Sequence, residues 1–406
     1  MNINASSERR AGPPSFTEGR NRRQKVRAAG LDPNHWYAVE QSKHLRPGKA
    51  IGVQFFGQPG VAIFRSADGA KLHALEDRCV HRQLKLSLGQ VEGCRLVCSY
   101  HGWQYEGASG EVVDFSHDLF GRPVPPRLRV RTFPVAERYG LIWLFPSGDE
   151  QLAKERSLPR IPELETDNPK RWACAPVDFT WKAHHSMVID NVNDFTHAYL
   201  HRKYRPFTEA KLRKYETVGD RVFVSYNTKV GAGRISGLFV DRERVNTNQI
   251  ELCYDYPHQW SNVDGRIKHW CFLLPIDRQR TRVFFLFYFE ALRIPFTRIS
   301  IPRALMSAVM KIANRMFIRS LLAEDGWAVE AEQEGYEAHF DEQPVELNPA
   351  IHAFHELTIR KWQEHLTRSG TVDGIHDLLP RLQDELVPTT ASNLANEPSN
   401  GSRIHG

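Results

Sequence analysis

The sequence predicts an α+β chain in two parts: a small all-β domain, then a larger domain in which helices cover an antiparallel sheet. Three observations carry this. Short β-type runs, such as Val61-Ala62-Ile63-Phe64, Leu72-His73-Ala74-Leu75 and Leu141-Ile142-Trp143-Leu144-Phe145, fill the stretch from Trp36 to Pro146, separated by Gly and Asp-Gly turns such as Asp68-Gly69. Further runs at Val222-Phe223-Val224, His269 to Leu274 and Val283 to Tyr288 predict a second sheet. Apolar residues at Ile351, Phe354, Ile359, Trp362 and Leu366 recur at helical spacing and predict a buried stripe.

The organisation that follows is a basic leader over 1–35, a β domain over 36–146, a polar linker over 147–170, a second domain over 171–386 and a tail over 387–406. The leader holds Arg9, Arg10, Arg20, Arg22, Arg23, Lys25 and Arg27, which account for much of the net charge of +6. It reads as solvated and disordered, as does the Ser/Asn/Pro/Gly-rich tail. The basic arm is not read as a nucleic-acid or lipid contact. At 406 residues, with 41% hydrophobic and 25% charged content, the chain is long enough for two cores. No window reaches the roughly 18 apolar residues of a membrane span, and the leader lacks the apolar segment of a signal peptide. A cytoplasmic protein without stable membrane insertion is expected. The segment Ala304–Leu322, interrupted by Lys311, Asn314, Arg315 and Arg319, reads as a core-packed helix.

Chemistry enters with Cys79-x-His81, sixteen intervening residues, and Cys98-x-x-His101. Two thiolates and two imidazoles in this order suit a Rieske [2Fe-2S] cluster, in which two His replace two Cys on one iron. Cys₂His₂ also suits tetrahedral zinc, but zinc fingers keep Cys with Cys and His with His, whereas here each half is mixed. A Rieske cluster moves single electrons, so an acceptor is needed.

The run Asp190-Asn191-Val192-Asn193-Asp194-Phe195-Thr196-His197-Ala198-Tyr199-Leu200-His201 offers one. On a helix opening the second domain, Asp194, His197 and His201 would share a face. Two His and a carboxylate form the triad of a non-heme Fe(II) oxygenase, which leaves positions open for O₂ and substrate. Asp325 is the expected carboxylate, with Glu324 and Glu330 close by. His184 and His185 read as structural, and Asp190 as a support for Asp194.

These motifs, with the flanks Glu76-Asp77-Arg78 and Ser99-Tyr100-His101-Gly102-Trp103, resemble the catalytic α subunit of Rieske non-heme iron ring-hydroxylating oxygenases over about Trp36 to Leu366. The resemblance implies that Cys79, His81, Cys98 and His101 hold the cluster and that His197, His201 and Asp325 hold the mononuclear Fe(II). It implies a head-to-tail homotrimer in which Asp194 bridges a cluster His of one subunit to an iron His of its neighbour. Two departures stand out. Three residues separate the iron His where many members have four, as in the carbazole dioxygenase type, and Gln83-Leu84-Lys85 replaces more usual small residues. Respiratory Rieske domains carry an extra Cys in each loop, where this chain has Leu84 and Ser99. With Cys94, Cys174, Cys253 and Cys271 scattered, no disulfide framework is expected, which suits a reducing compartment.

No Gly-rich dinucleotide fingerprint occurs, so NAD(P)H would be oxidised by a separate reductase, feeding the cluster directly or through a ferredoxin. The aromatic second domain, with Tyr254, Tyr256, Trp260 and Trp270, favours an apolar or cyclic small-molecule substrate. The single long chain resembles the α-only branch, which leans toward monooxygenation. Dioxygenation, N- or O-demethylation and oxidative cyclisation are the alternatives within the family. A Rieske electron carrier and a zinc-stabilised interaction protein are the alternatives outside it.

Overall fold

Tyr37–Gln41 pairs antiparallel with the continuously apolar strand Leu141–Leu144, which pairs in turn with Val135–Arg138. This small sheet closes the N-terminal β region. Two others fill it: Ala50–Val53, Val61–Arg65 and Leu72–Glu76 form a meander, and Gln90–Glu92, Arg95–Val97, Trp103–Glu106 and Val112–Phe115 form a second. The computed structural model describes residues 12–57, 60–115, 124, 127–165, 172–230, 249–263, 265, 267–289 and 301–371. The tail expected over 387–406 lies outside the described residues.

The second region opens on the strand Ala173–Trp181 rather than on a helix. It forms an antiparallel seven-stranded sheet in the order Ala173–Trp181, Thr281–Phe289, Ile267–Pro275, His258–Val263, Gln249–Asp255, Arg221–Val230, Phe207–Val218. The helix His185–Asn193 packs between the helices Arg319–Ala338 and Pro349–Ser369 and against the middle of this sheet. The last helix starts on Asn348, whose side chain accepts from the Ala350 amide, with Pro349 beside that cap. It buries Ile351, Phe354, Trp362 and Leu366 as the spacing predicts, with Ile359 packed partly buried beside them.

Two cores result. The larger joins Tyr37, Trp143 and Phe145 to the sheet and helices of the second region. The smaller, around Phe64, Leu75, Leu96 and Tyr105, includes Cys79 and Cys98 and lies beneath the two motif loops.

Two expectations need correction. Residues 12–35 are not a disordered leader in this structure: Arg22–Ala28 is a helix capped by Asn21, and Val26, Ala29 and Leu31 are fully buried. The charge run misled because two of its members, Arg22 and Arg27, are paired rather than solvated. Arg27 Nη2 lies 2.8 Å from both Asp190 and Glu332, its Nη1 donates to Ser186 Oγ at 2.6 Å, and Arg22 pairs with Glu356. Gly30 permits the close approach, since a Cβ there would meet the Trp362 ring at 2.7 Å.

The second correction concerns the segment from 304 to 322. It is not one regular helix, because a π-helical turn over Asn314–Ile318 joins Arg303–Ala313 to Arg319–Ala338. It packs on the core through Met306, Met310, Ala313, Ile318 and Leu322, while Leu305, Ile312 and Met316 stay exposed.

Candidate functional site

The motif loops are held by their own backbones. In the first, the Cys79 amide donates to Leu84 O and the Gln83 amide returns to Cys79 O, both at 2.8 Å. Gln83 takes a positive φ of 60° to close this turn. In the second, the Cys98 amide donates to Trp103 O at 2.9 Å and the Gly102 amide to Cys98 O at 3.0 Å. The loops face each other: the His81 and His101 rings lie 4.6 Å apart, and His81 stacks on Trp103 at 4.7 Å. Both sulfurs are buried, and Tyr105 Oη donates to Cys79 Sγ at 3.1 Å, a contact of the kind that tunes a cluster. Burial, with the Cys79 sulfur beside it, raises the Cys98 thiol pKa. Such a paired-thiol pocket suits a positively charged occupant. Leu88 and Tyr100 are exposed around the histidines.

The second site forms differently from the expected single helix. The helix His185–Asn193 ends at Asp194, a 3-10 turn runs over Phe195–Tyr199, and His201 follows in the next turn. Asp194 caps that turn through its Oδ1, which accepts from the Thr196 amide at 2.8 Å and from Asn348 Nδ2 at 3.2 Å. A backbone kink at His197 brings the two imidazoles together, with ring centroids 5.1 Å apart.

Asp325 arrives from the helix Arg319–Ala338. Its Oδ1 lies 3.5 Å from His197 Nε2 and 3.3 Å from His201 Nε2. Three such atoms within 4.8 Å of one another match a facial two-His, one-carboxylate donor set. Gly326 allows this helix to approach, since a Cβ there would meet the Trp181 ring at 2.4 Å.

The supporting residues were only partly legible. Glu324, read merely as a nearby acid, accepts from His201 Nδ1 at 2.9 Å and so turns Nε2 toward Asp325. Burial opposes charge on His201, but Asp325 and Glu324 outweigh it and raise its pKa. Burial dominates at His197 and lowers its pKa against the pull of Asp325. Asn191 Nδ2 contacts Asp325 Oδ1 at 3.4 Å. The Asp190 carboxylate bonds Arg27 and His355, both at 2.8 Å, while its backbone oxygen accepts from the Asp194 amide at 3.0 Å. His184 and His185 are buried, and His185 Nε2 meets Ala29 O at 2.9 Å, consistent with structural roles.

Two cavities flank His197. One, of about 190 Å³, is apolar and is walled by Phe207, Ile267, Phe285, Phe287, Phe317 and Leu322, with His201 and Asp325 also at its surface. The other, of about 600 Å³, is polar and is lined by Asp190, Asp194, Glu332, Glu346 and His352.

Comparison with known proteins reads this geometry. Residues 35–120 match the Rieske [2Fe-2S] domain, and residues 181–369 match the vanillate O-demethylase oxygenase C-terminal domain. The chain is 45% identical over 353 residues, 86% of its own length and 94% of the relative, to the 4beta-methylsterol monooxygenase of Methylococcus capsulatus. This chain belongs to the Rieske non-heme iron oxygenase family.

It is also 36% identical over 239 residues, 58% of this chain and 66% of the relative, to the oxygenase component of dicamba O-demethylase from Stenotrophomonas maltophilia. Among solved structures, dicamba monooxygenase bound to 3,6-dichlorosalicylic acid covers 84% of this chain over its whole length, with a TM-score of 0.64 at 21% identity. The terminal oxygenase of carbazole 1,9a-dioxygenase from Nocardioides aromaticivorans covers 84% of this chain over 97% of its own, with a TM-score of 0.60 at 19% identity. These two likenesses establish the fold. As a Rieske oxygenase of the monooxygenase and demethylase type, this oxidoreductase uses a [2Fe-2S] cluster and a mononuclear non-heme iron.

Proposed function

We propose that this oxygenase hydroxylates a ring methyl group of a 4-methylated sterol or a closely similar polycycle. One observation carries the proposal: the His197, His201 and Asp325 atoms converge at an aromatic and aliphatic cavity, in a chain that matches nearly the full length of a sterol monooxygenase. When bound, the cluster stores single electrons and the iron activates O₂. Cys79, His81, Cys98 and His101 are assigned to the cluster and His197, His201 and Asp325 to the iron.

The protein's own part is positioning and exclusion. Glu324 accepts a hydrogen bond from the Nδ1–H of His201, which fixes the tautomer and leaves the Nε2 lone pair free for a metal. Phe207, Phe285, Phe287 and Ile267 offer apolar walls that displace water from around a hydrocarbon substrate. Glu324→Ala is expected to lower the affinity for mononuclear iron about 10- to 100-fold. Iron titration of the protein with its cluster intact would test this, and unchanged affinity would remove Glu324 from the site.

The electron path we assign is intersubunit, within a head-to-tail trimer. The exposed Leu88 and Tyr100 beside the cluster histidines supply an apolar rim for contact. The polar cavity on the far side of His197, with Asp194 in its lining, is where a neighbour's histidine would reach. Asp194→Asn should keep both metals yet slow reoxidation of the reduced cluster about 10- to 100-fold in a stopped-flow single turnover. Full-speed reoxidation would rule out the Asp194 route.

A separate reductase, directly or through a ferredoxin, is the proposed electron donor. The cytoplasm is the proposed compartment, supported by free cysteines and by the lack of any membrane-length apolar helix among the described residues. The direct test combines the purified, iron-loaded oxygenase with a reductase, NADH, O₂ and a 4-methylated sterol, followed by mass spectrometry. A product with one added oxygen on the methyl carbon is expected. Consumption of O₂ with other apolar rings but never with a methylsterol would overturn the substrate class.

A further inference from the structure

The apolar cavity contains a polar pair that the iron site does not use. Ser261 and His269 stand opposite each other on neighbouring strands, and Ser261 Oγ hydrogen-bonds His269 Nδ1. Both side chains are buried and both line the cavity. The His269 ring is held flat against Phe287, with centroids 5.2 Å apart and planes 20° from parallel. Its other nitrogen, Nε2, is buried with no hydrogen-bond partner. Burial lowers the imidazole pKa to about 4, so the ring is neutral at physiological pH.

A neutral imidazole with one nitrogen satisfied and the other buried without a partner is costly, because a buried unpaired polar atom loses its water and gains nothing. Packing does not require a histidine here, since a phenylalanine would stack on Phe287 as well. The neighbourhood is apolar apart from Ser261, Asn191 and the residues assigned to the iron.

We infer that His269 Nε2 is the specificity contact for a single hydroxyl oxygen on an otherwise apolar substrate. This rests on the methyl-hydroxylation reading above and adds how the ring is oriented. A hydroxyl both donates and accepts, so it satisfies Nε2 whichever way the Ser261–His269 proton lies. His269 and Asp325 line the same cavity, so a hydroxyl held by His269 would lie in the chamber that the assigned iron ligands border. In a 4-methylated sterol the ring hydroxyl occupies the carbon adjacent to the methyl-bearing one. Anchoring it would present that methyl group to the His197, His201 and Asp325 cluster while the remaining rings lie along the phenylalanines.

The test uses cholestanol and cholestane, which differ only in the hydroxyl. Their partition from cyclodextrin into the iron-loaded oxygenase is measured at equilibrium. The wild-type protein should favour cholestanol by roughly 10-fold or more. His269→Phe should bring the ratio to about one, and His269→Gln, which keeps a donor and an acceptor, should retain most of the preference. Circular dichroism and retention of the mononuclear iron report whether each variant is folded. Should His269→Phe fail to fold, Ser261→Ala is expected to weaken the preference several-fold by releasing the ring.

A wild-type ratio near one, or an undiminished ratio in the folded variants, overturns the His269 contact and leaves the sterol reading standing. If neither compound binds, the sterol reading falls and the contact with it.

Discussion

His201→Ala should abolish substrate oxidation while leaving the Rieske spectrum intact, with iron falling from about three to about two atoms per chain. His201 has more to lose than its neighbours because both of its nitrogens are engaged. Nε2 lies 3.3 Å from Asp325 and Nδ1 lies 2.9 Å from Glu324, on a side chain that is 2% exposed. Truncation therefore removes a metal donor and also leaves Glu324 without the group it orients. The cluster loops belong to a different core, so their absorbance and EPR signal should persist, and an unchanged circular dichroism spectrum should show that the rest of the chain is folded. Iron analysis with a sterol turnover assay checks both halves of the expectation. Full iron content with normal turnover would sink the ligand assignment.

Arg27→Met should destabilise the folded protein by about 3–5 kcal/mol, the range for removing one partner of a buried ion pair. The guanidinium is 4% exposed and meets Asp190, Glu332 and Ser186 together. Methionine keeps much of the packing volume, so the loss measured is that of the charge and its hydrogen bonds. The value should fall toward the lower end because His355 still holds Asp190 Oδ2 at 2.8 Å. Denaturant unfolding of the iron-loaded protein reads the change. A loss below about 1 kcal/mol would place Arg27 with ordinary surface pairs. A second effect should accompany the first, since Asp190 lies on the helix that delivers Asn191 and Asp194. Loosening it should broaden the signal of the mononuclear site.

Much of this was legible from the chain alone, for a physical reason. The Cys79/His81 and Cys98/His101 pairs are local in sequence, since each loop brings together within a few residues the two groups assigned to the cluster, so the spacing carries the geometry. The strand runs and the stripe from Ile351 to Leu366 were readable because each depends on a single period. What escaped depends on distant partners. The convergence of His197 and His201 was anticipated on a regular helix, yet a kinked 3-10 turn produces it.

Glu324 could have been singled out only by its adjacency to Asp325. On a helix, adjacent side chains diverge by about 100°, and here His201 fills the space between them. The Ser261–His269 pair is set by strand register, which seven intervening residues do not announce. Arg27 looked solvated because a charge count takes no account of a carboxylate 163 positions away.

The π-helical turn over Asn314–Ile318 has a consequence for how this oxygenase can change. Met310 and Ala313 before it, and Leu321, Leu322 and Asp325 after it, all border the same cavity. The turn sets the rotational phase between a wall that meets substrate and the carboxylate assigned to iron. Removing one residue from the regular helix between this turn and Asp325 would swing Asp325 by about 100° around the helix axis, out of reach of both histidines. Substrate range can therefore drift by side-chain replacement along this wall, but not by insertion or deletion. Chain length between residues 319 and 325 is as constrained as the identity of any ligand.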